Sequence, residues 1–76
     1  MGEKVLEVLT RIRPEFDFAE SDNFVEDGYL DSFDVVSVVS ELENEFGIVI
    51  DGLDVLPENF ETIDKICALV EKSKKR

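Results

Sequence analysis

The chain has 76 residues, which is room for one small domain with one hydrophobic core. Its formal net charge is −11, and no lysine or arginine occurs between Arg13 and Lys65. Nucleic-acid binding needs basic side chains that replace phosphate counterions, so the composition argues against a nucleic-acid partner. Histidine is absent, so the commonest general base and the commonest metal ligand are both missing. The sequence therefore predicts neither an enzyme nor a metal site.

The single cysteine, Cys67, cannot form an internal disulfide. There is no apolar run of membrane length, and the N-terminus does not have the charged and then apolar pattern of a leader. We therefore expect a monomeric, single-domain protein of the reducing cytoplasm, without a membrane-spanning segment.

The first predicted helix covers residues 3–13, where apolar side chains recur at helical spacing. These side chains are Val5, Val8, Leu9 and Ile12. Pro14 ends the helix. Residues 14–31 show no sustained period but are rich in aromatic residues. Because a long loop in a small domain is uncommon unless its own side chains pack it, we predict an ordered loop that caps one end of a helical bundle.

The second helix is predicted over residues 32–46, with Asp31 as its N-cap and Gly47 at its end. Its inward stripe consists of Val35, Val38, Val39, Leu42 and Phe46. Residues 48–50 are apolar and β-branched, but no second strand exists to pair with them, so we predict an extended loop. A short helical turn is predicted over residues 53–56, before Pro57.

The last helix is predicted over residues 62–72, with Thr62 as N-cap and a basic end at residues 72–76. Its apolar face holds Ile63, Ile66, Cys67 and Val70, and we expect the Cys67 thiol to be buried and structural. The elements together predict an all-α fold: a small antiparallel bundle of three principal helices plus one short helix.

The opposite face of the second helix is partly apolar, where a solvent-exposed face is normally charged. It carries Phe33, Val36, Ser37, Ser40 and Asn44, and it is bordered by Asp34, Glu41, Glu43 and Glu45. An apolar strip edged by carboxylates indicates a docking surface for a basic partner. The alternative is that Phe33 folds back under the long loop and that Val36 is an incidental surface residue.

Ser32 lies at the start of the second helix, where free backbone N–H groups and the helix dipole favour an anion. It is not a self-activated nucleophile, because Asp31 and Asp34 flank it and the chain offers no histidine as base. The same carboxylates would repel a freely diffusing phosphate. A phosphate attached covalently by a separate enzyme avoids that objection. The alternative is a serine near an N-cap with no further role.

Residues 28–34, Gly-Tyr-Leu-Asp-Ser-Phe-Asp, with the helix behind them, resemble the Asp-Ser-Leu type motif of the acyl carrier proteins and their relatives. The acidic end of the second helix and the last helix resemble that family as well. The resemblance implies that Ser32 carries a covalent 4′-phosphopantetheine arm and that Asp31 contributes to recognition by a phosphopantetheinyl transferase. It also implies that the basic surfaces of partner enzymes are met by Phe33, Asp34, Val36, Glu41, Glu43 and Glu45.

Phe33 stands where leucine is usual in this family, and the Leu-Asp-Ser-Phe form is similar to the D-alanyl carriers and other stand-alone carriers. The resemblance thus implies an acyl or aminoacyl cargo, held as a thioester, that an activating ligase loads and a downstream transferase receives. The alternative function is an acidic interaction module that docks on basic surfaces without a prosthetic group.

Overall fold

Three amphipathic helices pack around one apolar core in the computed structural model, which describes residues 1–74. They are α1 (Gly2–Ile12), α2 (Ser32–Phe46) and α3 (Ile63–Lys74), and α1 packs against both of the others. No strand occurs within residues 1–74, so the all-α prediction and the extended loop at residues 48–50 are confirmed. No helix in this part of the chain has the length and apolar character needed to cross a bilayer.

The core is built from the predicted stripes, with one addition. Its helical members are Val5, Val8, Leu9, Val35, Val38, Leu42, Ile66, Leu69 and Val70. Leu69 was not part of the predicted face of α3, whereas Cys67 was predicted to be buried and is only partly so. Burial nevertheless raises the pKa of the Cys67 thiol, which keeps it in its less reactive neutral form.

The connection between α1 and α2 is packed by its own aromatic residues, as predicted. Phe18 and Phe24 are buried and meet edge to face, with ring centroids 5.1 Å apart. Phe16 stacks on Tyr29 at 4.5 Å. The Phe24 backbone N–H donates to the Glu61 carbonyl at 2.8 Å, which ties this loop to the segment before α3.

Helix α2 begins and ends at the predicted residues. Gly47 adopts a left-handed conformation with φ +62°, which favours glycine and terminates the helix. Beyond it, the Glu43 carboxylate accepts the backbone N–H of Ile50 at 2.9 Å, and Ile50 is buried. This side-chain bond takes the place of a strand partner for the extended loop.

The short helix is the part of the fold that the sequence misplaced. The turn predicted over residues 53–56 is a 3₁₀ turn at Gly52–Asp54, and two further 3₁₀ turns, not predicted, cover Phe18–Glu20 and Pro57–Phe60. Proline begins the turn at Pro57–Phe60 because its missing N–H costs nothing at the first helical position. Thr62 caps α3 as predicted, its hydroxyl accepting the Lys65 N–H at 3.1 Å. The predicted basic end continues into residues 75–76, which lie outside the described residues.

Candidate functional site

The loop before α2 is anchored so that the chain leaves the core immediately before Ser32. Gly28 turns the chain with φ +77°. The Phe24 carbonyl then accepts two N–H groups, from Tyr29 at 2.8 Å and from Leu30 at 3.0 Å. The Leu30 side chain is buried, and the next two residues are exposed. The loop therefore presents Ser32 at the surface from a well-held backbone.

A reciprocal capping box closes the first turn of α2. The Asp31 carboxylate accepts the Asp34 N–H at 2.9 Å, and the Asp34 carboxylate accepts the Asp31 N–H at 3.1 Å. Asp31 is thus the N-cap, as predicted, while Ser32 is the first helical residue and is exposed. Since Asp31 does the capping, the Ser32 hydroxyl is not needed to hold the helix. Ser32 therefore lies next to the N-cap but does not supply the capping bond itself.

Arg13, at the end of α1, reaches this capping box. Its Nε donates to Asp34 Oδ2 at 2.9 Å, its Nη2 lies 3.6 Å from Asp31 Oδ2, and its Nη1 donates to Glu15 at 3.2 Å. The hydrogen bond to Asp34 raises the pKa of Arg13. The pKa of Asp31 is lowered, mainly by the Asp34 N–H and secondarily by the charge of Arg13.

Sequence reasoning missed Arg13. The one available signal was its position as the last basic residue before the long stretch that has none.

The predicted docking strip keeps its apolar members but loses one carboxylate. Phe33 is 84% exposed and Val36 is 63% exposed, so Phe33 does not fold back under the loop. Asp34 was placed on the border of this strip, but it is 8% exposed and bonded to Arg13. The reason is local: a carboxylate at the third position of a capping box turns back toward the N-cap.

The other three predicted carboxylates also have partners inside the chain. Glu41 pairs with Arg11 at 3.3 Å, and Glu45 pairs with Lys4 at 3.1 Å and with Arg11 at 3.6 Å. The Glu43 carboxylate accepts the backbone N–H of Ile50 in the loop after α2. All three are half-buried, so the border of the strip is already linked to α1 and to that loop.

Asp31→Asn should remove a stabilisation that depends on the carboxylate charge. Because the pKa of Asp31 in the folded protein lies below its ordinary value, the stabilisation is fully present above that ordinary value. It is lost as the pH falls through the lowered pKa. We expect the wild type to resist urea better than Asp31→Asn at neutral pH, and the two denaturation midpoints to converge in acid. Circular dichroism at a series of pH values measures this, and a difference that persists unchanged in acid would contradict it.

Comparison with models of known protein families matches residues 3–70 to the family described as phosphopantetheine attachment site. The matched range contains nearly all of α1, the whole of α2 and most of α3. Searches of curated proteins and of solved structures found no significant match.

Proposed function

The chain belongs to the family of phosphopantetheine-bearing carrier proteins, which are not enzymes, and from that premise we propose that Ser32 is the residue that bears the covalent 4′-phosphopantetheine arm. The arm, when bound, supplies a terminal thiol that holds cargo as a thioester. The alternative function, an acidic interaction module without a prosthetic group, does not agree with membership of this family.

The observation that carries the proposal is the setting of Ser32 among the five serines of the chain. Ser21 donates to Asp27 at 2.6 Å, and Ser73 is buried and bonded to the Leu69 carbonyl. Ser37 and Ser40 are exposed within α2, where the backbone N–H groups are used by the helix itself. Ser32 alone combines exposure with a helix N-terminus.

This position suits a phosphodiester. The positive end of the helix dipole favours the phosphate charge, whereas the Asp31 and Asp34 carboxylates oppose it. Arg13 offsets part of that repulsion by pairing with both carboxylates. The remaining negative charge disfavours a phosphate that binds reversibly, and covalent attachment needs no such affinity.

Attachment forms a bond from Ser32 Oγ to the phosphorus of the phosphopantetheinyl group of coenzyme A and breaks the pyrophosphate bond, releasing adenosine 3′,5′-bisphosphate. The serine proton must go to a base. The Asp31 and Asp34 carboxylates each already accept a backbone N–H and pair with Arg13, so we assign the base to the transferase. In this scheme the chain contributes an accessible hydroxyl, a fixed first turn and, through Asp31, a recognition carboxylate.

The test is to incubate the purified chain with coenzyme A, Mg²⁺ and a broad-specificity phosphopantetheinyl transferase, and then to record an intact mass and peptide fragments. We expect one phosphopantetheinyl group, located on Ser32. A chain that gains no mass, or a modified peptide that does not contain Ser32, would contradict the proposal.

Phe33 and Val36 form, in this proposal, the apolar centre of the surface that meets the transferase and the later partner enzymes. The pair lies one turn apart on α2, beside Ser32, and both side chains are largely exposed. Exposed aromatic residues frequently contribute most of the binding energy when a partner covers them.

Phe33→Ala should lower kcat/KM of the transferase by about thirtyfold, because aromatic hot spots contribute about 2 kcal/mol or more. Most of the loss should appear in KM, since the ring does not touch the reacting atoms. Leu53→Ala is the matched control, because Leu53 is equally exposed, at 83%, but lies in the connection between α2 and α3. Equal effects of the two substitutions on steady-state kinetics would refute a specific role for Phe33.

The cargo we propose is an acyl or aminoacyl group, in line with the stand-alone carriers that the Leu-Asp-Ser-Phe motif resembles. An activating ligase with a basic docking surface loads it, and a downstream transferase removes it. Residues 1–76 then act as one cytoplasmic carrier domain. Incubating the modified chain with ATP and either an acyl- or an aminoacyl-activating ligase, followed by intact mass, distinguishes the two cargo classes.

A further inference from the structure

Arg13 joins the end of α1 to the start of α2 through a short relay of hydrogen bonds. Helix α1 ends at Ile12, and Arg13, in a non-helical conformation, directs its side chain to the capping box. Its Nε holds Asp34 Oδ2, and that same oxygen accepts the backbone N–H of Asp31. The next residue is Ser32. The peptide group that joins Leu30 to Asp31, one residue before the serine, is therefore tied to Arg13 at the end of α1 through two hydrogen bonds.

The relay also answers an electrostatic problem. Asp31 and Asp34 are brought together by the capping box, and two adjacent carboxylates repel each other. Arg13 contacts both, and it is one-third exposed, so its charge acts in a partly desolvated setting. Without this cation the first turn of α2 would keep its backbone bonds and its core packing, but it would have two facing negative charges and would lose this polar link to the end of α1.

We infer that Arg13 is a positioning residue for modification of this carrier, acting through Asp34 to hold Ser32 in the geometry that the transferase needs. The inference rests on the proposed function of Ser32. Displacement of a reacting atom by about an ångström can cost up to about a hundredfold in rate. Loosening the first turn should therefore lower kcat more than it raises KM, because the docking surface of α2 stays in place.

The test compares Arg13→Gln with Arg11→Gln in steady-state assays with the transferase. Both substitutions remove one positive charge, from the last turn of α1 or from the residue directly after it, and both break ion pairs to α2. Arg11, however, pairs with Glu41 and Glu45, away from the capping box. We expect Arg13→Gln to lower kcat about tenfold and Arg11→Gln to leave it within about twofold of the wild type. Equal kcat values for the two variants would overturn the inference, as would a loss confined to KM.

Two further measurements separate positioning from a loss of folding. Urea denaturation gives the folded fraction of each variant under assay conditions. Because the chain is the substrate of the transferase, unfolding raises the apparent KM by the inverse of the folded fraction and leaves kcat unchanged, so a variant whose whole loss has that form would overturn the inference. The double variant Arg13→Gln/Asp34→Asn should be no slower than the slower single variant, because the two residues act in one relay. Multiplicative losses would show that Arg13 does not act through Asp34.

The two proposals fail in distinguishable ways. If the wild type is not modified on Ser32, the proposed function is wrong, whatever Arg13 does. If Ser32 is modified and Arg13→Gln behaves as Arg11→Gln does, only the positioning role is wrong.

Discussion

Ser32→Ala should abolish modification by the transferase, with no mass gain even after prolonged incubation. On the proposed assignment, the substitution removes the oxygen that forms the bond to phosphorus. It should leave the fold intact, because Asp31 and Asp34 supply the hydrogen bonds of the first turn and the serine hydroxyl is exposed. Alanine at an exposed first helical position should change the free energy of unfolding by less than about 0.5 kcal/mol.

Ser37→Ala is the matched control for that experiment. Ser37 is an exposed serine of the same helix, and it lies more than one turn from the N-terminus. We expect it to gain the full phosphopantetheinyl mass at nearly the wild-type rate. A mass gain on Ser32→Ala would place the attachment on another residue and refute the assignment. If both variants lost modification, the loss would be explained by weaker binding of the transferase to α2 and not by removal of the attachment oxygen.

Phe24→Ala should destabilise the protein by about 3–5 kcal/mol, the usual cost of removing a fully buried aromatic ring. The ring is 1% exposed and packs edge to face on Phe18. Its backbone carbonyl also holds the loop that leads to Ser32. Domains of this kind have about 5–15 kcal/mol of stability in total, so the variant should be partly unfolded at 37 °C. Urea denaturation followed by circular dichroism measures the loss.

Phe33→Ala provides the control for the stability experiment, because it removes the same ring from an 84% exposed position. Its free energy of unfolding should stay within about 0.5 kcal/mol of the wild type. The two phenylalanines thus separate the functions of the ring: Phe24 supports the fold, and Phe33 is available to a partner. Similar losses of stability in the two variants would contradict this division.

The distribution of the few basic residues explains why three of the four predicted docking carboxylates, Asp34, Glu41 and Glu45, are not free on the surface. Lys4, Arg11 and Arg13 all lie on or directly after α1, and all three pair with carboxylates of α2 or its N-cap. In a chain of charge −11, these pairs relieve repulsion where two helices meet. A basic partner that approaches this side of α2 therefore has to compete with cations of the chain itself.

The elements with local causes could be predicted from the sequence. The bounds of helix α2, Ser32 to Phe46, could be predicted because the signals for both ends are local in the chain. The N-cap Asp31 bonds a backbone N–H only three residues away, and Gly47 ends the helix through its own left-handed conformation. The core stripes followed from helical periodicity. The motif around Ser32 indicated a carrier because its residue types are contiguous in the chain.

The partners of the charged side chains could not be predicted in this way. The sequence places Asp34 and Glu43 on the borders of an exposed strip. In the folded chain, Asp34 bonds to Arg13 and Glu43 accepts the backbone N–H of Ile50. Arg13 and Asp34 are 21 residues apart, and their contact exists because α1 packs against α2. A carboxylate pairs with whatever donor packing places within reach, which periodicity along one helix does not specify. Composition and local motif thus indicated a carrier and predicted Ser32 as its attachment site, whereas helix packing determined which charged residues meet at the first turn of α2.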